Sequence, residues 1–212
     1  MAKEPCRNDV TIAGLVVGNP QYSHSTRRGT TYYKLMLAVK RKSGTDDVIP
    51  ICFPEDILDP NDDYEGRYFR FCGEYHSKNK FYDGKNHLIL SVYASEAESI
   101  DSYYVNDAEI EGFVCKPTYF KEKLSGARVT EVTIATNRSY GGTSYIPCLL
   151  WNDAAEMAKG FKVGDHFIFR GRIQSRGYEK KFEDGSKGTR TAYEFSVFNF
   201  EKIEEVEDES NS

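Results

Sequence analysis

Residues 31–41, TYYKLMLAVKR, carry the pattern that decides the fold. Large apolar or aromatic side chains occupy every second position from Tyr33 to Val39, with Lys34 among the residues between them. Successive side chains of a β-strand point to opposite faces, so this spacing predicts a strand with one buried face. The same alternation recurs in residues 132–138, VTIATNR, and in residues 166–174, HFIFRGRIQ. The core-facing positions of those two stretches are Val132, Ile134, Thr136, Phe167, Phe169, Gly171 and Ile173.

The chain contains this pattern twice, because the stretch that starts at Asn8 recurs in order from Asn106. The matched pairs are Gly14 with Gly112, Arg41 with Arg138, Ile49 with Ile146, Gly66 with Gly164 and Gly73 with Gly171. A repeat that covers both halves predicts two copies of one domain. We place the first copy at residues 1–105, the second at 106–203 and an acidic tail at 204–212. The copies meet near residues 102–105 with little linker.

Each copy is expected to hold five strands, with one short helix between the third and fourth. In the second copy this helix covers residues 152–160, with Asn152 or Asp153 as its N-cap and Ala155, Met157 and Ala158 facing the core. In the first copy Pro60 interrupts residues 55–64 and reduces the helix to about a single turn. An all-β chain of two tandem OB-folds, which are five-stranded Greek-key barrels, fits this order of elements. A generic antiparallel barrel is the competing topology, which periodicity alone does not separate.

Composition describes a chain with a core and many aromatic side chains. The 212 residues are 39% hydrophobic and 14% aromatic, and a mean hydropathy of −0.60 leaves no run of the roughly 20 apolar residues that span a bilayer. The N-terminus lacks the apolar segment of a secretory signal, so we expect a cytoplasmic, nucleoid-associated protein. Five cysteines without a C-x-x-C pair predict neither disulfides nor a zinc site.

The net charge of −5 lies in the last twelve residues, where six acids stand against one base. The preceding 200 residues are neutral. Within them the second copy is slightly basic and the first slightly acidic. We therefore expect the second copy to dominate contacts with an anionic strand, and the first to act in assembly or as an auxiliary surface.

Five segments of the second copy resemble the bacterial single-stranded DNA-binding protein family. They are Asn106 with Gly112, VTIATNR at 132–138, YIPCLLW at 145–151, KVGDHFIFRGRIQSRGY at 162–178 and YEFSVFNFEKIE at 193–204. The first copy resembles the same family more loosely, through GTTYYKLMLAVKR at 29–41 and the glycines Gly66 and Gly73. The resemblance implies an OB-fold in each copy and the binding of single-stranded DNA.

The resemblance also implies which residues meet the DNA. Tyr140, Tyr145, Trp151 and Tyr178 fall where the family places its base-stacking aromatics, and bases stack on such rings without regard to sequence. Alternation puts Tyr145 and Trp151 on one strand face and leaves Ile146, Cys148 and Leu150 for the core. The cations expected to meet phosphates are Arg138, Arg172, Arg176, Lys180 and Lys181.

The first copy departs from this pattern. Val48, Pro54 and Ser43 stand where the second copy has Tyr145, Trp151 and Tyr140. The candidates that remain are Phe81 and Tyr82 with Lys78 and Lys80 in a charged hairpin, Tyr22 with Arg27 and Arg28 in a separate platform, and Arg41 at the position of Arg138. The competing interpretation is a tyrosine-rich loop without a ligand.

The function that these features predict is sequence-independent binding and protection of single-stranded DNA in replication, recombination or repair. The family suggests a homodimer with four OB domains and possible replication or repair proteins as partners, although the tail lacks a terminal apolar residue. An OB-fold interaction module, such as a primosome or recombination accessory, and single-stranded RNA binding are the alternatives. Neither a phosphate-cradling loop nor a metal-binding histidine pattern is present in the sequence, so catalysis and cofactors are not expected.

Overall fold

The computed structural model describes residues 5–82, 84–181 and 185–204, with the side chain of Lys181 left out. These residues contain eleven strands and one helix, joined by turns and loops. The elements are β1 (Asn8–Ser25), β2 (Thr31–Lys40), β3 (Asp46–Pro54), β4 (Tyr68–Tyr82), β5 (Lys85–Ser99), β6 (Val105–Val114), β7 (Tyr119–Glu122), β8 (Arg128–Asn137), β9 (Thr143–Trp151), α1 (Asp153–Ala158), β10 (His166–Lys181) and β11 (Lys187–Lys202).

The first five strands close into a barrel. Strand β1 pairs with both β2 and β4, β2 continues to β3, and β4 continues to β5, all antiparallel. A short parallel contact between β3 and β5, where Ile51 lies opposite Val92, closes the circle. This connectivity is the OB-fold that the sequence predicts.

The second barrel repeats the same connections with β6, β8, β9, β10 and β11. Its parallel closure joins β9 to β11, where Cys148 lies opposite Phe195. Strand β7 is an additional short strand that pairs with β8. Both barrels have a bulge in their fifth strand, where Ser95 of β5 or Phe198 of β11 is the extra residue, opposite an equivalent glycine of the fourth strand, Gly73 or Gly171. A Cβ atom there would lie 2.0 Å from the Tyr93 carbonyl oxygen or 2.1 Å from that of Ser196, so each glycine permits the close approach of two backbones.

The two connections between the third and fourth strands differ. In the second barrel, α1 follows Asn152 and buries Ala155 and Ala158. Met157 was expected in the core, but it is 63% exposed. It follows Glu156 on the solvent side of a helix of only six residues, so the core prediction for Met157 is wrong.

In the first barrel the corresponding residues, 55–67, form turns and bends without a helix. The amide of Asn61, next to Pro60, donates to the Asp59 carboxylate, and the amide of Ile57 donates to the Pro54 carbonyl. Proline lacks the amide hydrogen that a helix interior needs, so local turn bonds replace the expected short helix here.

The cores of both barrels come from the alternation seen in the sequence. Leu35, Leu37 and Val39 are buried in the first barrel, while Tyr33 packs at the margin of the core. In the second barrel the predicted inward positions of β8 and β10 are all buried, as are Ile146, Cys148 and Leu150 of β9. Cys52 and Cys148 are free thiols inside the cores.

The two barrels form one continuous sheet because β1 pairs antiparallel with β6. Val10 lies opposite Ala108, and Asn8 and Ile12 lie opposite Ile110 and Asn106. Val10 and Ala108 are equivalent positions in the two repeats, as are Asn8 and Asn106. The pairing is therefore symmetric about the Val10–Ala108 pair, and the chain resembles a dimer of itself with an internal two-fold axis.

A second set of contacts across the junction follows the same symmetry. The Tyr145 amide donates to the Ser77 hydroxyl at 2.6 Å, and the Val48 amide donates to the Ser175 hydroxyl at 3.0 Å. Tyr145 and Val48 are equivalent positions, as are Ser77 and Ser175. Each barrel thus inserts the start of its third strand against the fourth strand of the other.

Asn8 and Asn106 anchor the strands that meet at the junction. The Asn8 side chain donates to the Tyr75 carbonyl at 3.0 Å and accepts from the Tyr75 amide at 2.9 Å. Asn106 makes the same pair of bonds with Ile173. Each asparagine therefore satisfies backbone groups of β4 or β10 just beyond the last backbone pair with the first strand, Val10–Gly73 or Ala108–Gly171.

We predict that Asn8→Ala lowers the free energy of unfolding by about 1–3 kcal/mol, because it leaves the buried Tyr75 amide and carbonyl without partners. Asn106→Ala is expected to do the same through Ile173. Urea denaturation followed by circular dichroism measures the change. The matched control is Asn79→Ala, at an exposed position of β4. Equal stability of the Asn8 variant and this control would contradict the assigned role.

Candidate nucleic-acid interface

Strand β9 presents a face of exposed aromatic side chains to solvent, as its alternation predicts. Tyr145 is 46% exposed. Trp151 is partly exposed at the end of the strand, and the Lys123 ammonium lies 4.4 Å from its ring centre. We call Tyr145, Pro147, Leu149 and Trp151 the β9 face, within which Leu149 is buried at 8% exposure. A flat ring with a cation beside it matches what a nucleotide needs, a surface for the base and a charge for the phosphate.

The β10–β11 hairpin adds another ring to the same barrel. Tyr178 is 41% exposed, and the Arg176 guanidinium lies 6.0 Å from its ring centre. Arg176 also forms an ion pair with Glu194 at 2.8 Å, which raises the pKa of Arg176. Lys180 is partly exposed beside Tyr178, in the cleft described next. The hairpin therefore places two cations next to one stacking surface.

The β4–β5 hairpin of the first barrel lies opposite this one. Phe81 is 69% exposed near its tip, and Tyr82 stacks on His87 with ring centres 3.7 Å apart. A cleft of about 760 Å³ lies between the two hairpins and contains Tyr82, His87, Tyr178 and Lys180. Its floor includes Lys34, Met36 and Pro50 of the first barrel and Pro147 of the β9 face. The strand faces of the two barrels are therefore continuous through this cleft.

Tyr140 occupies the β8–β9 turn and faces the first barrel. Its side chain is 65% exposed, but its hydroxyl lies 3.0 Å from Nδ1 of His76. Nε2 of the buried His76 lies 2.6 Å from the Glu74 carboxylate, and this hydrogen bond lowers the pKa of Glu74. A chain from Glu74 through His76 thus holds the Tyr140 ring at the junction of the barrels.

Two arginines that the sequence offers as phosphate contacts are engaged at the junction. Arg41 binds the buried Asp47 with two guanidinium nitrogens and donates to the Ser175 carbonyl at 2.9 Å. Its equivalent, Arg138, donates to the Ser144 hydroxyl at 2.9 Å and to the Ser77 carbonyl. These contacts follow the internal two-fold axis and give both residues a structural role between the barrels.

The remaining predicted residues fall into two places. The Arg172 guanidinium lies 5.6 Å from the exposed Phe198 ring, and its buried Nε has no hydrogen-bond partner among the described residues. Tyr22 is exposed and packs edge-on against Tyr33. It shares a groove of about 380 Å³ with Lys34, Lys78 and Lys80. Tyr22 therefore lies beside cations, whereas Arg172 is not among the residues that line this groove or the inter-hairpin cleft.

An aromatic cluster in the first barrel was not predicted from the sequence. It consists of His24, Tyr32, His76 and Tyr93, and Tyr140 of the second barrel extends it. The only signal in the sequence was the solvent-facing position of Tyr32 in an alternating strand. The other members come from β1, β4 and β5, and only the fold brings them together.

Within the described residues, no group of three or more histidine, cysteine or acidic side chains has the arrangement of a metal site. None of the helices in the same part of the chain is long and apolar enough to cross a membrane. The predicted acidic tail lies outside the described residues from position 205 onward.

Comparison with known proteins identifies the family. The Single-strand binding protein family matches residues 105–201. Single-stranded DNA-binding protein B of Bacillus subtilis (strain 168) is 34% identical over 87 residues, which cover 36% of this chain and 74% of that protein. The chain therefore belongs to the single-strand binding protein family, whose members are binding proteins and not enzymes, as the sequence predicts.

Two solved structures match the fold over nearly the whole chain. The wild-type single-stranded DNA-binding protein of Thermus aquaticus has a TM-score of 0.77 at 16% identity, and 98% of each chain is covered. A deletion variant of that protein has a TM-score of 0.74 at 17% identity, covering 98% of this chain and 99% of the other. Both OB barrels, including the more divergent first one, thus have counterparts in a known structure.

We predict that Arg41→Ala affects stability more than ligand binding. It leaves the buried Asp47 carboxylate without its ion pair, which is strongly destabilising for a buried charge. We expect a loss of about 2–4 kcal/mol in the free energy of unfolding by urea denaturation. The salt dependence of binding to oligo-dT should be unchanged, because the guanidinium contacts no phosphate. A reduced salt slope with unchanged stability would identify Arg41 as a phosphate contact instead.

Proposed function

We propose that this chain binds and protects single-stranded DNA without sequence preference. The observation that carries the proposal is a set of accessible rings in the second barrel: Trp151 beside Lys123, Tyr178 beside Arg176, and the exposed Tyr145 on the β9 face. A ring that served only the core would not need to be accessible. Family membership and the DNA-binding name of the Bacillus subtilis relative support the same ligand.

Stacking and phosphate contacts explain why such binding tolerates any sequence. Every base has a flat face, and stacking on an aromatic side chain contributes about 1–3 kcal/mol per base. Protein cations that neutralise DNA phosphates release the counterions condensed on the DNA, so affinity falls as salt concentration rises. A protein of this kind coats exposed strands, and we propose that this chain does so in the cytoplasm during replication, recombination or repair.

The proposed strand path runs from the second barrel to the first. The β9 face and Tyr178 supply rings in the second barrel, with Arg176 and Lys180 beside them. The cleft between the hairpins continues the path to Phe81 and Tyr82, and then to Lys78 and Tyr22. We expect smaller contributions to DNA affinity from Arg138, Arg41 and Arg172. The first two join the barrels, and the third lies against Phe198.

We also propose the domain boundaries given by the sequence: residues 1–105, residues 106–203 and a tail at 204–212. The end of β5 at Ser99 and the start of β6 at Val105 support the first boundary. Limited proteolysis should trim the tail first and leave both barrels together, because β1 and β6 are paired. Early cleavage inside either barrel would argue against these boundaries.

The first prediction of this proposal concerns the stacking rings. Changing Tyr145, Trp151 and Tyr178 together to Ala should weaken binding to labelled oligo-dT by at least about 100-fold, since three stacking surfaces are lost. Fluorescence anisotropy of the labelled oligonucleotide measures the affinity over a range of salt concentrations. In the unchanged protein, the emission of the single tryptophan should change on binding.

The matched control is Tyr103→Ala, which removes an exposed tyrosine from the connection between the barrels. It should bind as the unchanged protein does. Failure of the unchanged protein to bind oligo-dT at low salt would contradict the proposal. Tighter binding to oligo-rU than to oligo-dT would replace DNA with RNA as the ligand, because stacking does not distinguish the two sugars.

A second prediction concerns assembly, for which we propose a homodimer that brings four barrels together. Light scattering at micromolar concentration should then give about twice the chain mass of 24.2 kDa. A mass equal to one chain over the whole concentration range would contradict the dimer. It would leave the DNA-binding proposal unaffected.

A further inference from the structure

Five rings form a connected cluster on the side of the first barrel that faces the second. His24 and Tyr32 are stacked, with ring centres 5.0 Å apart and planes 8° from parallel. Tyr93 lies 5.9 Å from Tyr32 and 4.7 Å from His76. Tyr140 of the second barrel completes the cluster, 5.7 Å from His76. We call these five residues the ring cluster.

The ring cluster lines a cleft of about 740 Å³ together with cationic side chains. Arg27 and Arg28 belong to the β1–β2 connection, and Lys78 belongs to β4. All three are exposed, and no ion pair of theirs is found among the described residues. No acidic residue is among those that line the cleft. The cleft therefore combines flat apolar surfaces with positive charge that has no internal counterion.

The symmetry of the barrels shows that this arrangement belongs to the first barrel alone. Tyr32 pairs with Pro54, and at the equivalent pair in the second barrel Val129 lies opposite Trp151. Tyr93 lies opposite Cys52, where the second barrel has Ser196 opposite Leu149. The first barrel thus lacks the rings of the β9 face but carries rings at two neighbouring positions where the second barrel has Val129 and Ser196.

The ionisation of the cluster suits a neutral aromatic ligand. Burial and the nearby Lys78 charge lower the pKa of His24, so its ring is uncharged at neutral pH. Burial raises the pKa of Tyr32 and of Tyr93, so both phenols are also neutral. The uncharged rings of His24, Tyr32 and Tyr93 offer stacking to a nucleobase, while the guanidinium groups of Arg27 and Arg28 match phosphate oxygens.

We propose that this cleft is a second nucleobase-binding subsite for single-stranded DNA, in which a base lies against Tyr32 and Tyr93 and the flanking phosphates contact Arg27, Arg28 and Lys78. The inference rests on the proposed function and adds to its strand path a subsite of the first barrel that is separate from Phe81, Tyr82 and Tyr22. The volume is in the range of pockets that enclose most of a small organic ligand, which is sufficient for one nucleotide.

Tyr140 connects this subsite to the second barrel. It is held by His76 at the junction, so a strand that stacks on Tyr140 lies next to the cleft. The His76 contact therefore keeps a ring of the second barrel at the cleft of the first. This gives the bound strand a continuous route between the two barrels.

The test uses three variants of the full chain and oligo-dT. Arg27→Ala/Arg28→Ala should reduce the slope of log affinity against log salt by about 1.4, which corresponds to two phosphate contacts on a single strand. Tyr32→Leu, which keeps an apolar side chain but removes the ring, should weaken binding by about 5- to 150-fold. Tyr32→Phe keeps the ring and should bind as the unchanged protein does. Thermal unfolding confirms that each variant is folded.

The control for the loss of two charges is Arg67→Ala/Lys162→Ala, which changes exposed cations that do not line the cleft. If the arginine pair and Tyr32→Leu behave like this control while the unchanged protein binds oligo-dT, the subsite is wrong and the proposed function stands. If the unchanged protein does not bind oligo-dT at all, both are wrong. If Tyr32→Phe binds oligo-dT as weakly as Tyr32→Leu does, the loss of affinity comes from the hydroxyl. That result would overturn stacking on the Tyr32 ring.

Discussion

The antiparallel pairing of β1 with β6 is the interaction on which the rest of the structure depends. It joins two closed barrels edge to edge through their first strands and centres an internal two-fold axis on Val10 and Ala108. Once these strands are paired, each barrel meets the other a second time, through Ser77 and Ser175. The pairing uses residues 8–13 of β1 and 105–110 of β6, which lie outside the parts of these strands that pair with β2 and β8.

Symmetry in the backbone does not require symmetry on the surface. Arg41 and Arg138 occupy equivalent positions and make equivalent contacts across the junction, because both serve the pairing. The rings, by contrast, differ between the barrels: the second has them on β9 and β10, and the first has them on β1, β2, β4 and β5. This difference is what a duplicated domain acquires when its interior and its junction are constrained while its solvent-facing positions are free to change.

Much of this structure follows from local patterns in the sequence. Alternation predicted the buried positions of β2, β8, β9 and β10, since strand geometry alone decides which side chains share a face. The repeat predicted two similar barrels, and the exposed position of Tyr145 followed from the same parity. The prediction that Met157 lies in the core was wrong, because a helix of six residues is too short for periodicity to indicate which side is buried.

The parts that could not be predicted depend on contacts between distant segments. The junction contact of Arg138 could not be predicted, because an arginine just after a strand gives no sign of its partner, and Ser77 lies 61 residues away. The ring cluster was missed for the same reason, since its members lie on four strands and a turn. Aromatic residues scattered through a sequence become a binding surface only when the topology places them side by side.

The central claim is that both barrels contact one DNA strand along a continuous surface. Photocrosslinking of oligonucleotides that contain 5-iodo-deoxyuridine, followed by mass spectrometry of the digested protein, tests it most directly. We expect crosslinks in both barrels, at Tyr32 or Tyr93 in the first and at Tyr145 or Tyr178 in the second. Crosslinks confined to the second barrel would contradict the claim and would leave the first barrel with a role in assembly alone.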